Sequence, residues 1–316
     1  MPVFCFTMLI KNIMFLLEEL NSQFAIDNTL QLIRSEGELI MIDIDNEYAK
    51  ATISPHGGQV LSFLPKSQAA DVLYLSKGAV YQHGKAIRGG IPICWPWFGD
   101  DASGFGRPAH GFVRNMPWDV LATNEKADGS TSVKLGLNST HETLAIWPHK
   151  FELSLDITVG EQLTLALTTK NIDNKEFTIT QALHTYLNVG DIEQVSVVGM
   201  DKLIYLDKLE NYAEKTQSGD ITVDKETDRV YQHVPSETTL IDNTLNRTTA
   251  IASQGSHSTV VWNPWIESTA KLSDMDDDSY KNFICIETAN VFDDSVTIPA
   301  GGSHTLTAVF DVKNNG

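Results

Sequence analysis

The chain has 316 residues, with Lys+Arg at 23 against Asp+Glu at 41 and a net charge of -18, so most of its surface repels nucleic acid and anionic lipid. Hydrophobic residues at 42% and a mean hydropathy of -0.14 can fill a core, yet no apolar run reaches the ~18 residues that a membrane helix needs. The length admits one large β domain.

The first stretch, MPVFCFTMLIKNIMFLLEEL, is apolar but unlike an export signal. It lacks a basic start, Lys11 and Asn12 break its apolar part, and no A-x-A-like cleavage site follows. We expect an added helix here, or sequence upstream of the true start, for which Met14 is a candidate. Residues 1–34 are set apart as an N-terminal extension without an assigned role, and 35–316 as a single domain.

From about Leu39 the pattern is strand-like. FELSLDITV puts Phe151, Leu153, Leu155, Ile157 and Val159 on one face, and LTLALTT does the same with Leu163, Leu165 and Leu167. Gly160-Glu161-Gln162 between them has hairpin length. Short β-like runs recur at Val133 to Leu137, Phe177 to Leu183, Val195 to Val198, Thr259 to Trp262, Phe283 to Glu287 and Thr305 to Asp311. Turn clusters such as NIDNKE, DMDDDS and IPAGG separate them, with no regular helical interludes. This spacing predicts an all-β protein, a large antiparallel β-sandwich.

Cys5, Cys94 and Cys285 are three widely spaced cysteines without a C-x-x-C, which argues for a reducing compartment, and we expect a cytoplasmic protein. Gly104, Gly106 and the following RPAHG fail as a dinucleotide loop, because Ala109 stands in the third glycine position and Pro108 breaks the helix that must follow. HETLA (His141 to Ala145) fails as a zinc motif, since Ala145 stands where the second ligand belongs. The acidic group Asp274, Asp276, Asp277 and Asp278 lacks the Gly and terminal Glu of a calcium loop and reads as a solvated turn.

The densest segment is AIRGGIPICWPWFG, Ala86 to Gly99. Adjacent glycines and two prolines suit a loop of fixed shape rather than a regular element. Trp95 and Trp97 could stack on a sugar ring or close the sandwich. AHGFVRN follows with His110 and Arg114. Only six arginines occur, and Arg88, Arg107 and Arg114 fall within 27 residues. Arg88 and Arg114 could grip one phosphate, each charge-assisted contact being worth about 1.5 to 3 kcal/mol, or form two unrelated salt bridges.

In ALHTYLNVGD, His184 sits in an apolar run, the usual setting of a satisfied structural histidine. In FICIETAN, Glu287 ends a hydrophobic strand, a costly place for a carboxylate unless it is paired or functional. Together the two could open a pyranose. A base takes the proton of the C1 hydroxyl, an acid protonates the ring oxygen, and re-closure on the other face of C1 reverses both transfers.

IRGGIPICWPWFG, AHGFVRN, ALHTYLNVGDIE, TDRVY, VWNPW and DDSYKNFICIETA, in this order, resemble the hexose-6-phosphate mutarotases (glucose-6-phosphate 1-epimerases) of the galactose-mutarotase-like aldose 1-epimerase superfamily. The likeness runs over roughly residues 40 to 312. It implies a β-supersandwich with the sugar in an open cleft. By motif position, His184 matches the family's general acid and Glu287 its general base. Arg88 and Arg114 match the arginines credited with the phosphate, and Asp228 the acceptor for sugar hydroxyls. His110 and Trp262 sit in motifs near the cleft. Ala109 departs from the glutamine that some members carry before the histidine of the HGF motif.

The implied activity is exchange of the α and β anomers of D-glucose 6-phosphate and related hexose 6-phosphates, without metal or cofactor. The expected partner is the small-molecule hexose 6-phosphate, with no nucleic acid or membrane, and the protein is expected to be a monomer. Two alternatives stand: an aldose 1-epimerase for free galactose or glucose, which gives two arginines nothing to neutralise, and a sugar-phosphate-binding protein without catalysis, which needs no paired His and Glu.

Overall fold

Strands form wherever the side-chain period of two is unbroken. Along Phe151–Val159 buried residues alternate with less buried ones, and the same holds along Leu163–Asn171, its hairpin partner. The computed structural model describes residues 16–35, 37 and 39–315. All strand pairs in its named sheets are antiparallel, as predicted for a β-sandwich.

One eight-stranded sheet runs in the order Val195–Val198, Glu237–Asp242, Arg247–Gln254, Ser303–Asn314, Leu163–Asn171, Phe151–Val159, Thr131–Asn138, Asp119–Glu125. The second runs Ala213–Thr216, Ile204–Asp207, Thr227–Gln232, Ser258–Asn263, Phe283–Asn290, Gln181–Leu183, Ile93–Cys94, with Tyr186–Asn188 also on Phe283–Asn290. A four-stranded sheet adds Leu30–Arg34, Ile40–Asp45, Ala49–Ser54 and Gln59–Pro65 in chain order. One continuous apolar core joins them: Ile42 and Phe63 from the small sheet, Phe151, Leu165 and Phe310 from the first, and Val261, Ile284 and Ile286 from the second.

The strand Phe283–Asn290 is buried along its whole length, on both faces. Ile284 and Ile286 enter the main core, while Phe283 and Cys285 pack in a separate cluster with Tyr186 and Met275. Glu287 shares the parity of that second face. The sheet therefore closes the sandwich with one side and carries the cleft on the other.

Two expectations need correction. The boundary drawn at residue 35 falls inside a β-hairpin, since Leu30–Arg34 pairs with Ile40–Asp45 and buries Leu30 and Leu32. Phe24, in a helix seen over residues 16–24, reaches the same core. Short helices do interrupt the strands, at His141–Ile146, whose Thr140 forms a capping box with Thr143, and at Trp265–Thr269. The reading of residues 1–15 as an added helix or upstream sequence lies outside the described residues. Cys94 and Cys285 are free and buried, and among the described residues no helix is long and apolar enough to cross a membrane.

Candidate active site

Strand register assembles the cleft floor. Gln181–Leu183 and Tyr186–Asn188 pair with Phe283–Asn290 in one continuous register, Leu183 facing Thr288 and Tyr186 facing Cys285. The two residues between them, His184 and Thr185, leave the ladder, but the register still carries His184 to a position opposite Glu287. Across the next ladder Glu287 faces Val260 and Cys285 faces Trp262, and across the one after that Trp262 faces Asp228. Two adjacent rows result, His184, Glu287 and Val260 in one and Tyr186, Cys285, Trp262 and Asp228 in the other. Because side chains two residues apart share a face, both rows look into one hollow.

Loops wall that hollow. Arg88, Phe98, His110, Arg114, Lys208 and Leu272 line it together with the floor, around a volume of about 230 Å³. All seven residues singled out as candidate catalytic or substrate-binding groups are present in this one cleft: His184, Glu287, Arg88, Arg114, Asp228, His110 and Trp262. They come from segments up to 199 positions apart in sequence, Arg88 to Glu287.

His184 Nε2 lies 3.3 Å from Glu287 Oε1. The spacing is that of an ion pair, yet His184 Nδ1 and both carboxylate oxygens of Glu287 have no hydrogen-bond partner. Glu287 is sealed at 0% exposure and His184 at 7%. Burial drives the Glu287 carboxyl well above its ordinary range, and the Asp228 carboxylate pushes the same way, against Lys208 and Arg114. Burial likewise drives His184 well below the usual imidazole value, reinforced by His110, Arg114 and Arg88. With no other hydrogen-bond partner on these atoms, burial favours the uncharged form of each group.

His184 is held by its backbone, its N–H donating to Pro92 O at 2.9 Å. Its ring stacks on Tyr186 at 4.9 Å and meets the edges of His110 at 5.6 Å and Trp262 at 5.9 Å. His110 adopts φ 64; its Nδ1 accepts from the Gly99 N–H at 3.3 Å. Burial, followed by Arg114, Lys208 and Arg88, lowers His110 to about 3, so it is a neutral wall of the cleft near pH 7.

The two arginines differ. Arg88 donates from Nε to Asp274 Oδ2 at 3.1 Å and from Nη1 to the Tyr186 hydroxyl at 3.1 Å. Burial works against its charge, but Tyr186 and Asp274 more than offset this and its basicity rises. Asp274 is thus no solvated turn residue; its side chain is 24% exposed and fixes the fork of Arg88. Arg114 donates from Nη2 to Ala109 O at 2.9 Å, and its Nε is buried without a partner. Of the tryptophans, Trp95 is core, fully buried against Phe151 and Trp147 with Nε1 donating to Thr169 Oγ1. Trp97 lies under the Arg107 guanidinium at 4.1 Å, outside the cleft lining. Arg107 itself pairs with Asp101 at 2.6 Å.

Residues 41–311 match the aldose 1-epimerase family. This chain belongs to the aldose 1-epimerase family. Among its relatives, a protein of Escherichia coli (strain K12) with the provisional name glucose-6-phosphate 1-epimerase is 40% identical over 257 residues, 81% of this chain and 85% of that protein. A protein of Cenchrus ciliaris with the same provisional name is 36% identical, covering 82% and 81%. A crystal structure described as a provisional mutarotase from Salmonella typhimurium superposes with a TM-score of 0.85 at 34% identity, over 92% of this chain and 96% of that one. A galactose mutarotase-like protein from Clostridium acetobutylicum has the same fold at 14% identity, with a TM-score of 0.72 over 90% and 98% of the two chains.

For this aldose 1-epimerase family member, sequence reasoning missed Lys208, Tyr186, Phe98 and Leu272 as cleft residues and Asp274 as the partner of Arg88. Lys208 Nζ stands 2.9 Å from Asp228 Oδ2. Burial raises Asp228 above its ordinary value in spite of that ammonium. Burial opposes charge on Lys208 too, but there the nearby carboxylate prevails and its basicity rises. The one available signal was the period of two, which puts Tyr186 on the face of His184. Nothing in DKLENY or DMDDDS marks Lys208 or Asp274 as other than solvated charges.

Proposed function

We propose that this chain interconverts the α and β anomers of hexose 6-phosphates such as D-glucose 6-phosphate, with Glu287 as the base and His184 as the acid. The observation that supports this most is the 3.3 Å approach of His184 Nε2 to Glu287 Oε1 on the floor of a cleft that two arginines share. Adjacency suits the chemistry, because the C1 hydroxyl oxygen and the ring oxygen are bonded to the same carbon.

Ring opening begins from ionised Glu287 and protonated His184. The carboxylate takes the C1 hydroxyl proton, the C1–O5 bond breaks as the C1 carbonyl forms, and the imidazolium gives its proton to O5. The pair is left neutral, the form that burial favours. After rotation about C1–C2, neutral His184 takes the O5 proton, O5 attacks the other face of the carbonyl, and Glu287 returns its proton to the carbonyl oxygen. Each half-step moves one proton on and one off the pair, whose net charge stays zero throughout.

The charges of the cleft support an anionic substrate. Arg88, Arg114 and Lys208 stand against Asp228 and Asp274, so with a net-neutral His184–Glu287 pair one positive charge is in excess, within a chain of net charge -18. Arg114, whose Nε lacks a partner, is the better placed phosphate ligand. Asp228 is the proposed acceptor for sugar hydroxyls, with His110 and Trp262 as shaping walls. All these groups come from one chain, so the cleft needs no partner subunit to be complete, and the proposed enzyme is a cytoplasmic monomer.

Anomer-exchange NMR on purified protein tests the proposal. Wild type should accelerate exchange of glucose 6-phosphate, and His184→Ala and Glu287→Gln should each lower the rate by about 10²- to 10⁴-fold. Wild-type rates in both variants would sink the mechanism, and faster exchange of free glucose than of its 6-phosphate would sink the substrate. Binding without acceleration would identify a sugar-phosphate binder.

A further inference from the structure

Among the described residues Asp228 is the other carboxylate lining the cleft that holds Glu287, and it is itself nearly buried, with its side chain 12% exposed. A bare anion there would oppose ionisation of the base. We propose that Lys208 is a positioning residue which acts through Asp228: its ammonium, 2.9 Å from that carboxylate, cancels the second anion of the cleft and so leaves Glu287 free to accept the C1 hydroxyl proton. The inference rests on the reading of Glu287 as the base.

The fold places Lys208 for this task. Strand Ile204–Asp207 pairs with Thr227–Gln232 with Leu206 facing Val230 and Asp207 facing Arg229. One step further along that register brings Lys208 opposite Asp228. The turn Lys208–Glu210 is then fixed by the Asp207 carboxylate, which accepts from the Leu209 N–H at 3.1 Å, and by the Tyr212 N–H donating to Asp207 O at 2.8 Å. The chain leaves through two left-handed residues, Asn211 at φ 53 and Tyr212 at φ 61, so the lysine is held at the rim with its ammonium turned inward.

The groups facing Glu287 narrow the cause. His184 faces it from the neighbouring strand and Arg114 from the loop above. Cys285 lies on its own strand, with Cys94 and Tyr186 beside it, and burial raises all three, so none is an anion near neutrality. Among the described residues Asp228 is left to repel the Glu287 carboxylate, and Lys208, which also attracts that carboxylate directly, is the cation on Asp228. With the two carboxylates two strands apart and two residues apart along them, ~12 Å at the backbone, an uncompensated charge is worth a shift of ~1 pH unit in a partly desolvated site.

The test follows the Glu287 carboxyl by ¹³C NMR titration, assigned by its loss in Glu287→Gln, alongside the pH dependence of kcat/KM for anomer exchange of glucose 6-phosphate. In Lys208→Met the carboxyl midpoint and the acid limb of kcat/KM should both move ~1 pH unit upward. Lys208→Arg should hold the wild-type values. Lys208→Met with Asp228→Asn should restore the midpoint although KM stays raised, which a merely structural lysine would not produce. An unmoved Glu287 midpoint in Lys208→Met, or one still displaced in the double variant, overturns the proposal. If the midpoint moves as stated while wild type accelerates no exchange, the charge coupling stands and the enzymatic reading of the cleft fails.

Discussion

Glu287 and His184 face each other at 3.3 Å where a strand leaves its ladder, and neither oxygen of the carboxylate is otherwise hydrogen-bonded. Burial without partners penalises the charged form. A carboxyl raised above its unfolded value contributes fully below about pH 4.5, and its contribution is lost as pH rises through the folded value. Glu287→Gln should therefore gain stability over wild type as pH rises from 5 to 8. The expected gain is ~1–3 kcal/mol, at roughly 1.5 °C in Tm per kcal/mol for a chain of 316 residues. Thermal unfolding at the two pH values checks this, and a gain that does not grow with pH would show that the carboxylate is stabilised by a group other than those described.

His110 works in the opposite direction. Its imidazole is lowered to about 3 by burial and three nearby cations, so the stability present above pH 6.5 is lost as pH falls toward 3, with a slope of at most about 1.4 kcal/mol per pH unit. Asparagine tolerates the left-handed backbone at this position. His110→Asn should flatten the decline of Tm between pH 6 and pH 4. A decline as steep as in wild type would assign the acid sensitivity to other groups.

Arg114 should decide the substrate charge. With Nε lacking a partner and one fork nitrogen on the Ala109 carbonyl, it is not committed to a carboxylate. Arg114→Met is expected to lower kcat/KM for glucose 6-phosphate by about 10- to 100-fold, the equivalent of one charge-assisted contact. Activity on free glucose should change far less. Equal losses on both substrates would place the phosphate elsewhere. Arg88→Met should also weaken folding, because it leaves Asp274 without its ion pair.

Gly111 joins the two loops of the cleft wall. It has φ 73, it bridges Trp95, and a Cβ there would lie 1.8 Å from the Trp95 carbonyl oxygen. That oxygen already accepts from the Phe112 N–H at 3.1 Å, so neither backbone can yield. Gly111→Ala should cost more than ~3 kcal/mol, read as a fall in the urea midpoint, and it should displace His110 and Arg114 together. A wild-type midpoint would mean the loop relaxes freely.

The antiparallel sandwich was legible in the chain because strand formation is written locally. Alternation along Phe151–Val159 and Leu163–Asn171 needs no knowledge of distant residues, and the hairpin between them closes over Gly160 to Gln162. Leu30–Arg34 escaped notice because Leu30 and Leu32 are too short a period, and its hairpin partner supplies the rest of its stability. His184 and Glu287 stood out as polar groups in apolar strands, where desolvation makes any such residue conspicuous.

What the sequence determined by itself was therefore the type of fold and the choice of His184, Glu287, Arg88 and Arg114 as the residues proposed for the acid, the base and the phosphate contacts. Only the tertiary structure put His184 beside Glu287, gave Arg88 to Asp274, and brought Lys208 onto Asp228. Those pairings depend on the register between strands and loops far apart in the chain. A lysine or aspartate in a polar turn looks the same in sequence whether water or a buried partner receives its charge.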